Sequence, residues 1–134
     1  MRGKALMWFR KKPPTDLRSG AAIEIAAASW LSQQGLICIE KNFRCRGGEI
    51  DLIMRDGDSL VFVEVRLRNR DDFGSAAESV TAHKQARVVL AANYFLATHP
   101  RWQHSACRFD VLAAKQEHGA IAWNWVQNAF SAPY

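Results

Sequence analysis

Residues 48–66, GEIDLIMRDGDSLVFVEVR, constrain the fold more than any other part of the chain. Two β-rich runs flank Asp56-Gly57-Asp58-Ser59, and Asp and Gly between alternating apolar runs are a strong short-range signal for a hairpin. With 56–59 as a four-residue loop, Arg55 pairs with Leu60. Counting outward then sets Asp51 opposite Glu64 and Glu49 opposite Arg66. Side chains alternate between the faces of a strand, so these four charged residues share one face. Directly opposed residues have Cβ atoms ~5 Å apart. Two carboxylates that close repel each other unless a cation sits between them. The opposite face, with Ile50, Leu52, Met54, Val61, Val63 and Val65, is wholly apolar and is expected to be the core side.

A pair of carboxylates on a sheet with a buried back suits a hard divalent ion such as Mg²⁺ or Mn²⁺. Such an ion takes oxygen ligands and keeps positions open for water and a substrate phosphate. A bound metal would lower the pKa of an attacking water, and a neighbouring cation such as Arg66 would stabilise charge developing on phosphorus. Periodicity alone leaves a second reading open. In it the hairpin carries solvated alternating charges, and Glu49–Arg66 is an ordinary cross-strand pair.

The remainder of the chain reads as one α/β domain. At 134 residues and 49% hydrophobic content it suits one compact core, residues 16–134, behind a basic lead-in at 1–15 that closes on Pro13-Pro14. Residues 16–34 are helical, capped by Thr15, Asp16 or Ser19 and stopped by Gly35, with Ile23, Ala26, Ala27, Trp30 and Leu31 as the apolar stripe. A strand follows at 36–41, and Arg44 and Arg46 lie in a loop before Gly47-Gly48. Residues 73–79 read as loop. Thr81 caps a second helix ending near Thr98, with Val88, Val89, Ala92, Phe95 and Leu96 inward. Strands at 107–113 and 120–126 precede a tail at 128–134. The order is α-β-β-β-α-β-β.

Charge points to polyanionic partners. Eighteen Lys and Arg stand against thirteen Asp and Glu, a net charge of +5, and a positive face concentrates phosphates around it. Three scattered cysteines argue for a reducing compartment. The apolar run near the N-terminus, Leu6 to Phe9, is too short for a secretory signal. No stretch approaches the ~20 apolar residues of a membrane span. A cytoplasmic protein without a membrane partner is expected. His99 and His104 lack metal-ligand spacing, and Trp123 and Trp125, alternating on the last strand, read as core or interface.

The strings Gly48-Glu49-Ile50-Asp51-Leu52-Ile53 and Val61-Phe62-Val63-Glu64-Val65-Arg66 resemble the PD-(D/E)XK nuclease signature. Together with Glu24, Asn42, Phe73-Gly74, Lys84 and Arg108-Phe109-Asp110, they resemble more closely the YraN family of small bacterial proteins, related in fold to archaeal Holliday-junction resolvases. The resemblance runs from about Gly20 to Val111. It implies a restriction-endonuclease-like fold, a mixed β-sheet flanked by helices. It also implies a Mg²⁺- or Mn²⁺-dependent endonuclease acting on DNA rather than RNA, with branched or junction DNA as a substrate.

Residue by residue, Asp51 and Glu64 match the metal-binding carboxylates. Glu24 matches an additional acidic residue, and Arg66 takes the place of the signature lysine. The last match is a departure, because Arg stays protonated and cannot serve as a general base. Arg44 and Arg46 beside the two glycines, Arg68 and Arg70 along the strand, and Lys84 on the second helix are the expected phosphate contacts. Asp110 is expected to pair with a neighbouring Arg in a structural role. Resolvases work as dimers, so a homodimer is compatible with the resemblance. Two other readings stay open: a nucleic-acid-binding protein with a degenerate nuclease site, and a protein-interaction module.

Overall fold

A computed structural model describes residues 20–69 and 74–132. The basic lead-in, the candidate caps Thr15, Asp16 and Ser19, Arg70 and Phe73 lie outside the described residues. The observed order is α1 (Gly20–Gln33), β1 (Ile37–Cys45), β2 (Gly48–Asp56), β3 (Ser59–Arg68), α2 (Ala82–Thr98), β4 (Cys107–Glu117) and β5 (Ala120–Phe130). The strands form one mixed sheet in the order β1-β2-β3-β4-β5. All neighbours are antiparallel except β3 and β4, which run parallel. A parallel pair needs a long crossover, and α2 supplies it. The result is the expected α/β arrangement, a mixed sheet flanked by helices. Among the described residues no helix is long and apolar enough to cross a membrane.

Helix α1 is rich in Ala and ends where the sequence places its stop. Gly35, at φ 99°, reverses the chain. The Leu36 N–H donates to Leu31 O at 3.1 Å, and the Gly35 N–H to Ser32 O at 3.0 Å, which is a Schellman closure. Its Ile23, Ala26, Ala27, Ala28 and Leu31 lie on Leu52, Met54, Val61, Val63 and Val65 of the sheet. Trp30 stacks on Trp123 and meets Trp125 edge-on, so the paired tryptophans of β5 serve the core. Helix α2 begins at Thr81, whose Oγ1 accepts the Lys84 N–H at 3.2 Å. It lays Val88, Val89, Ala91, Ala92 and Phe95 on Ile53, Leu60 and Phe62.

The sheet is therefore buried on both faces, which corrects the expectation of one apolar face and one open charged face. Leu52-Ile53-Met54 and Leu60-Val61-Phe62-Val63 are all fully buried, as befits strands with a helix on each side. Strand β1 runs on to Cys45, beyond the expected end at Lys41. A register shift between Cys38 and Glu40 and a left-handed Asn42 (φ 54°) let it bend and continue. Arg44 is accordingly on a strand and Arg46 in the two-residue turn that follows. The β2–β3 loop is one rung tighter than expected, with Asp56 paired to Ser59. The register is unchanged by that extra rung. Residues 77–79 form a short 3₁₀ turn rather than plain loop, and β4 and β5 both outrun their expected ends.

Asp110 is fully buried and saturated. It accepts from Arg108 Nε (3.1 Å), Trp125 Nε1 (2.9 Å) and the Asn128 N–H (2.9 Å). The last bond satisfies a backbone donor where β4 and β5 shift register between Phe109 and Val111. Arg108 reaches on to Asp56 at 3.0 Å. The pairing expected for Asp110 is thus present, and it locks the sheet together.

The turn between β1 and β2 sits tightly on α2. A Cβ at Gly48 would lie 2.4 Å from the carbonyl oxygen of Arg87, a backbone atom that cannot step aside. Gly48→Ala is expected to destabilise the fold by about 1–3 kcal/mol, the usual cost of overpacking. Urea denaturation would check this, and an unchanged midpoint would refute the close approach.

Candidate active site

The charged residues of the hairpin meet where its ladder stops. Backbone pairing between β2 and β3 extends from Asp56–Ser59 as far as Leu52–Val63. Two residues beyond Val63, the Val65 N–H donates instead to Asp51 Oδ2 at 2.9 Å. A side chain thus replaces the backbone acceptor that the diverging strand withdraws, and this fixes the Asp51 carboxylate against β3. Glu64 lies beside it on the same edge of the gap, only 1% exposed, and shares a hydrogen bond with Asp51. Two carboxylates can share a hydrogen bond only when one is protonated.

The Glu64 environment follows from its position on the central strand. Its carboxyl is pushed up to about 8 from an ordinary 4.5, by burial first and by the negative charge of Asp51 second. Lys84 pulls the other way without prevailing; its Nζ stands 3.3 Å from Glu64 Oε2. The second oxygen, Oε1, is buried with no hydrogen-bond partner. Native structures rarely leave such an acceptor unsatisfied.

Glu24 reaches the site from α1, on the other face. Burial raises its pKa first. A hydrogen bond with Asn42 opposes this, and the nearby Asp51 charge raises it again. Asn42, the left-handed residue of β1, thus holds Glu24 in place.

Lys84 comes from the first turn of α2. Burial alone would lower its pKa, but the charges of Glu64, Asp51 and Glu49 outweigh it and leave the ammonium held above the usual lysine range. It is also 3.6 Å from Glu49.

The remaining candidates are placed as follows. Arg66 makes no ion pair with these carboxylates among the described residues, and its Nε is buried without a partner. Glu49 meets Arg44, Lys84 and Arg87, not Arg66, because the ladder ends before that rung. Arg46 is exposed in the β1–β2 turn. Arg68 donates to Gly74 O at 3.1 Å and lines a cavity of about 270 Å³ with Ser75, Lys115 and Trp123. That cavity contains neither Asp51 nor Glu64. Sequence reasoning paired Glu49 with Arg66, named Asn42 only within the resemblance, and placed Lys84 with phosphates rather than against Glu64.

A hard divalent cation fits the donors present. Asp51 and Glu64 are adjacent oxygen donors, and one Glu64 oxygen is orphaned. Among the described residues, no three His, Cys, Asp or Glu side chains form a ready cage. Two carboxylates with the other positions left to water, backbone and phosphate is the Mg²⁺ pattern rather than the Zn²⁺ one.

The family is decided by comparison with known chains. The model of the uncharacterised protein family UPF0102 matches residues 23–114, a span that holds every carboxylate just described. The chain belongs to the UPF0102 family. This is the YraN family of the sequence resemblance. A UPF0102 protein of Alcanivorax borkumensis is 50% identical over 113 residues, 84% of this chain and 90% of its own length. One of Ectopseudomonas mendocina is 49% identical, covering 84% and 94%. One of Herminiimonas arsenicoxydans is 48% identical over 125 residues, covering 92% and 96%. The matches thus span 84–92% of this chain and 90–96% of these relatives.

The Glu64 shift has a consequence for stability. Between about 4.5 and about 8 the fold holds a proton that the unfolded chain releases. In chelator this contribution is therefore fully present below pH ~4.5 and is lost as pH rises toward ~8. Glu64→Gln keeps the shape and has no such proton to lose. It is expected to be more stable than wild type at pH 8 and to show a smaller decline from pH 5 to 8 in urea titrations. An unchanged pH slope in the variant would refute the assignment.

Proposed function

We propose that this UPF0102 protein is a metal-dependent endonuclease that hydrolyses phosphodiesters in DNA. The observation that carries the reading is the Asp51–Glu64 pair. Glu64 is buried with one oxygen orphaned, Asp51 is half-buried beside it, and the pair is set where two strands part and flanked by an ammonium. A structural ion pair has no reason to leave Glu64 Oε1 unsatisfied, whereas a cation site needs that oxygen free.

Asp51 and Glu64 would hold Mg²⁺ or Mn²⁺, which when bound supplies an acidified water and neutralises phosphate charge. The backbone bond from Val65 fixes Asp51 through Oδ2, and Oδ1 takes no part in that bond. Glu24, hydrogen-bonded by Asn42 and close to Asp51, is placed to accept a proton or orient a water at the rim. Lys84 is the cation the geometry supports in the role that the nuclease signature gives to a strand lysine. It touches Glu64, is held protonated, and would stabilise charge on the phosphate or fix the attacking water. Arg66, which lacks that contact, is left with a lesser part. The basic balance of the chain favours a polyanionic substrate, and the resolvase resemblance favours branched DNA among the alternatives.

Labelled linear, single-stranded and four-way-junction DNA, incubated with Mg²⁺ or Mn²⁺, would test the reading. Metal-dependent cutting is expected, abolished in Asp51→Ala and Glu64→Ala. Lys84→Ala is expected to lower kcat by about 10²-fold or more, the usual cost of losing one preorganised donor, and Arg66→Ala by less. Binding without cutting would leave a nucleic-acid-binding protein with an idle site. A larger loss in Arg66→Ala than in Lys84→Ala would return the signature role to the strand.

A further inference from the structure

Glu49 is surrounded by more positive charge than it can neutralise. Arg44 from β1 lies 3.9 Å from its Oε2, while Lys84 and Arg87 from α2 lie 3.6 and 3.8 Å from its Oε1. A closed charge-assisted hydrogen bond would be about 2.7–2.9 Å. These cations are therefore gathered around Glu49 without being consumed by it, and their donors have capacity for a further acceptor. Lys84 is shared with Glu64, so Arg44 and Arg87 against Glu49 leave a local excess of positive charge. The first turns of a 17-residue helix add the positive end of its dipole. The Arg44 side chain is 73% exposed and that of Arg87 is 42% exposed, whereas Glu49 is 31% exposed beneath them. The arrangement is rigid at its base, because Gly48 lies directly against the carbonyl of Arg87. Lys84 bridges from Glu49 to Glu64, so the patch adjoins the carboxylate pair.

We propose that Arg44 and Arg87, held apart and aimed by Glu49, form a phosphate subsite for the backbone phosphate next to the one cut at Asp51 and Glu64. Glu49 is then a positioning residue. Its two oxygens divide the cations, Arg44 on one and Arg87 with Lys84 on the other, so that the two guanidinium groups flank a gap instead of collapsing on one acceptor. Its own charge is repulsive to DNA, and the subsite keeps it because orientation of two forked donors outweighs one distant like charge. The location beside a scissile phosphate rests on the proposed function. The binding does not, and it can be measured with metal removed.

The test is the affinity of the full chain for a fluorescent duplex DNA in chelator, across a salt series. If the basic face acts only through its net charge, Glu49→Gln removes a negative charge and tightens binding. A positioned subsite gives the opposite sign: Glu49→Gln weakens binding by about 5-fold or more, and Arg44→Gln/Arg87→Gln lowers the salt slope by roughly 2, near one unit for each phosphate no longer held. Arg101→Gln/Lys115→Gln removes the same charge elsewhere and is expected to leave the slope near that of wild type. Tighter or unchanged binding by Glu49→Gln, equal loss in the two double variants, or no binding by wild type would overturn the subsite. Should Glu49→Gln fail to fold, the exposed Arg44 and Arg87 still decide the question through their slope. The two readings separate cleanly. Binding with this pattern but no cutting in Mg²⁺ supports the subsite and removes the nuclease, whereas cutting with an unaltered Arg44/Arg87 slope overturns the subsite and keeps the nuclease.

Discussion

Strand β3 has a strand on each side and a helix on each face, and Leu60 to Val63 are completely shut off from water. Each such side chain contributes about 1.5–3 kcal/mol of transfer free energy, so this strand carries much of the drive to fold. The same burial continues one residue further, to Glu64, where it works against the charge. A carboxylate on the best-buried strand must be protonated, paired or metal-bound. The neighbouring features answer that constraint: the hydrogen bond to Asp51, the ammonium of Lys84, and the parting of β2 from β3 beyond Leu52 and Val63.

The two helices complete the site from opposite sides. Helix α1 brings Glu24 to the Asp51 edge, where Asn42 steadies it, and α2 brings Lys84 to Glu64 and Glu49. The ladder gap lets residues from both faces approach the same carboxylates. That local geometry costs backbone hydrogen bonds. The Asp51 carboxylate recovers one by taking the Val65 N–H, which makes Asp51 both a candidate ligand and a repair of the sheet. Asp110 performs the same repair at the β4–β5 register shift, yet there every oxygen is satisfied. The contrast between the saturated Asp110 and the half-satisfied Glu64 separates a structural carboxylate from a candidate functional one.

The hairpin was legible in the residues because turn chemistry and alternation both specify its register, and a tighter turn left Asp51 and Glu64 close together. Extending that register to Glu49 and Arg66 fails, since counting rungs assumes a ladder that continues past Leu52 and Val63. Two-sided burial also had a signal: Leu52-Ile53-Met54 and Leu60 to Val63 are unbroken apolar runs, the mark of a strand covered on both faces. The place of Lys84 had none. It depends on where a crossover helix of 17 residues lands on the sheet, a tertiary outcome that periodicity within α2 does not encode. Arg66, by contrast, was assigned from its spacing along one strand, and spacing does not say which cation will lie nearest a buried charge. Likewise, nothing in the sequence pattern announces that Asn42 turns left-handed and carries β1 four residues beyond its expected end.

A cation supplied by a helix differs physically from one supplied by the strand that bears its partner. A strand lysine two residues from Glu64 would keep its distance through any rigid shift of the helices. Lys84 keeps its 3.3 Å only while α2 stays seated on the sheet. Phe95 and Val88 provide the bulk of that seat, but Gly48 sets how near the helix comes at the end that matters, six residues along α2 from its cap, where a methyl group would strike the carbonyl of Arg87. A glycine beside the acidic hairpin and a lysine on the far helix are thus coupled through one backbone contact. The packing that lets α2 approach is what brings an ammonium to Glu64, a contact that Arg66 on the same strand does not make.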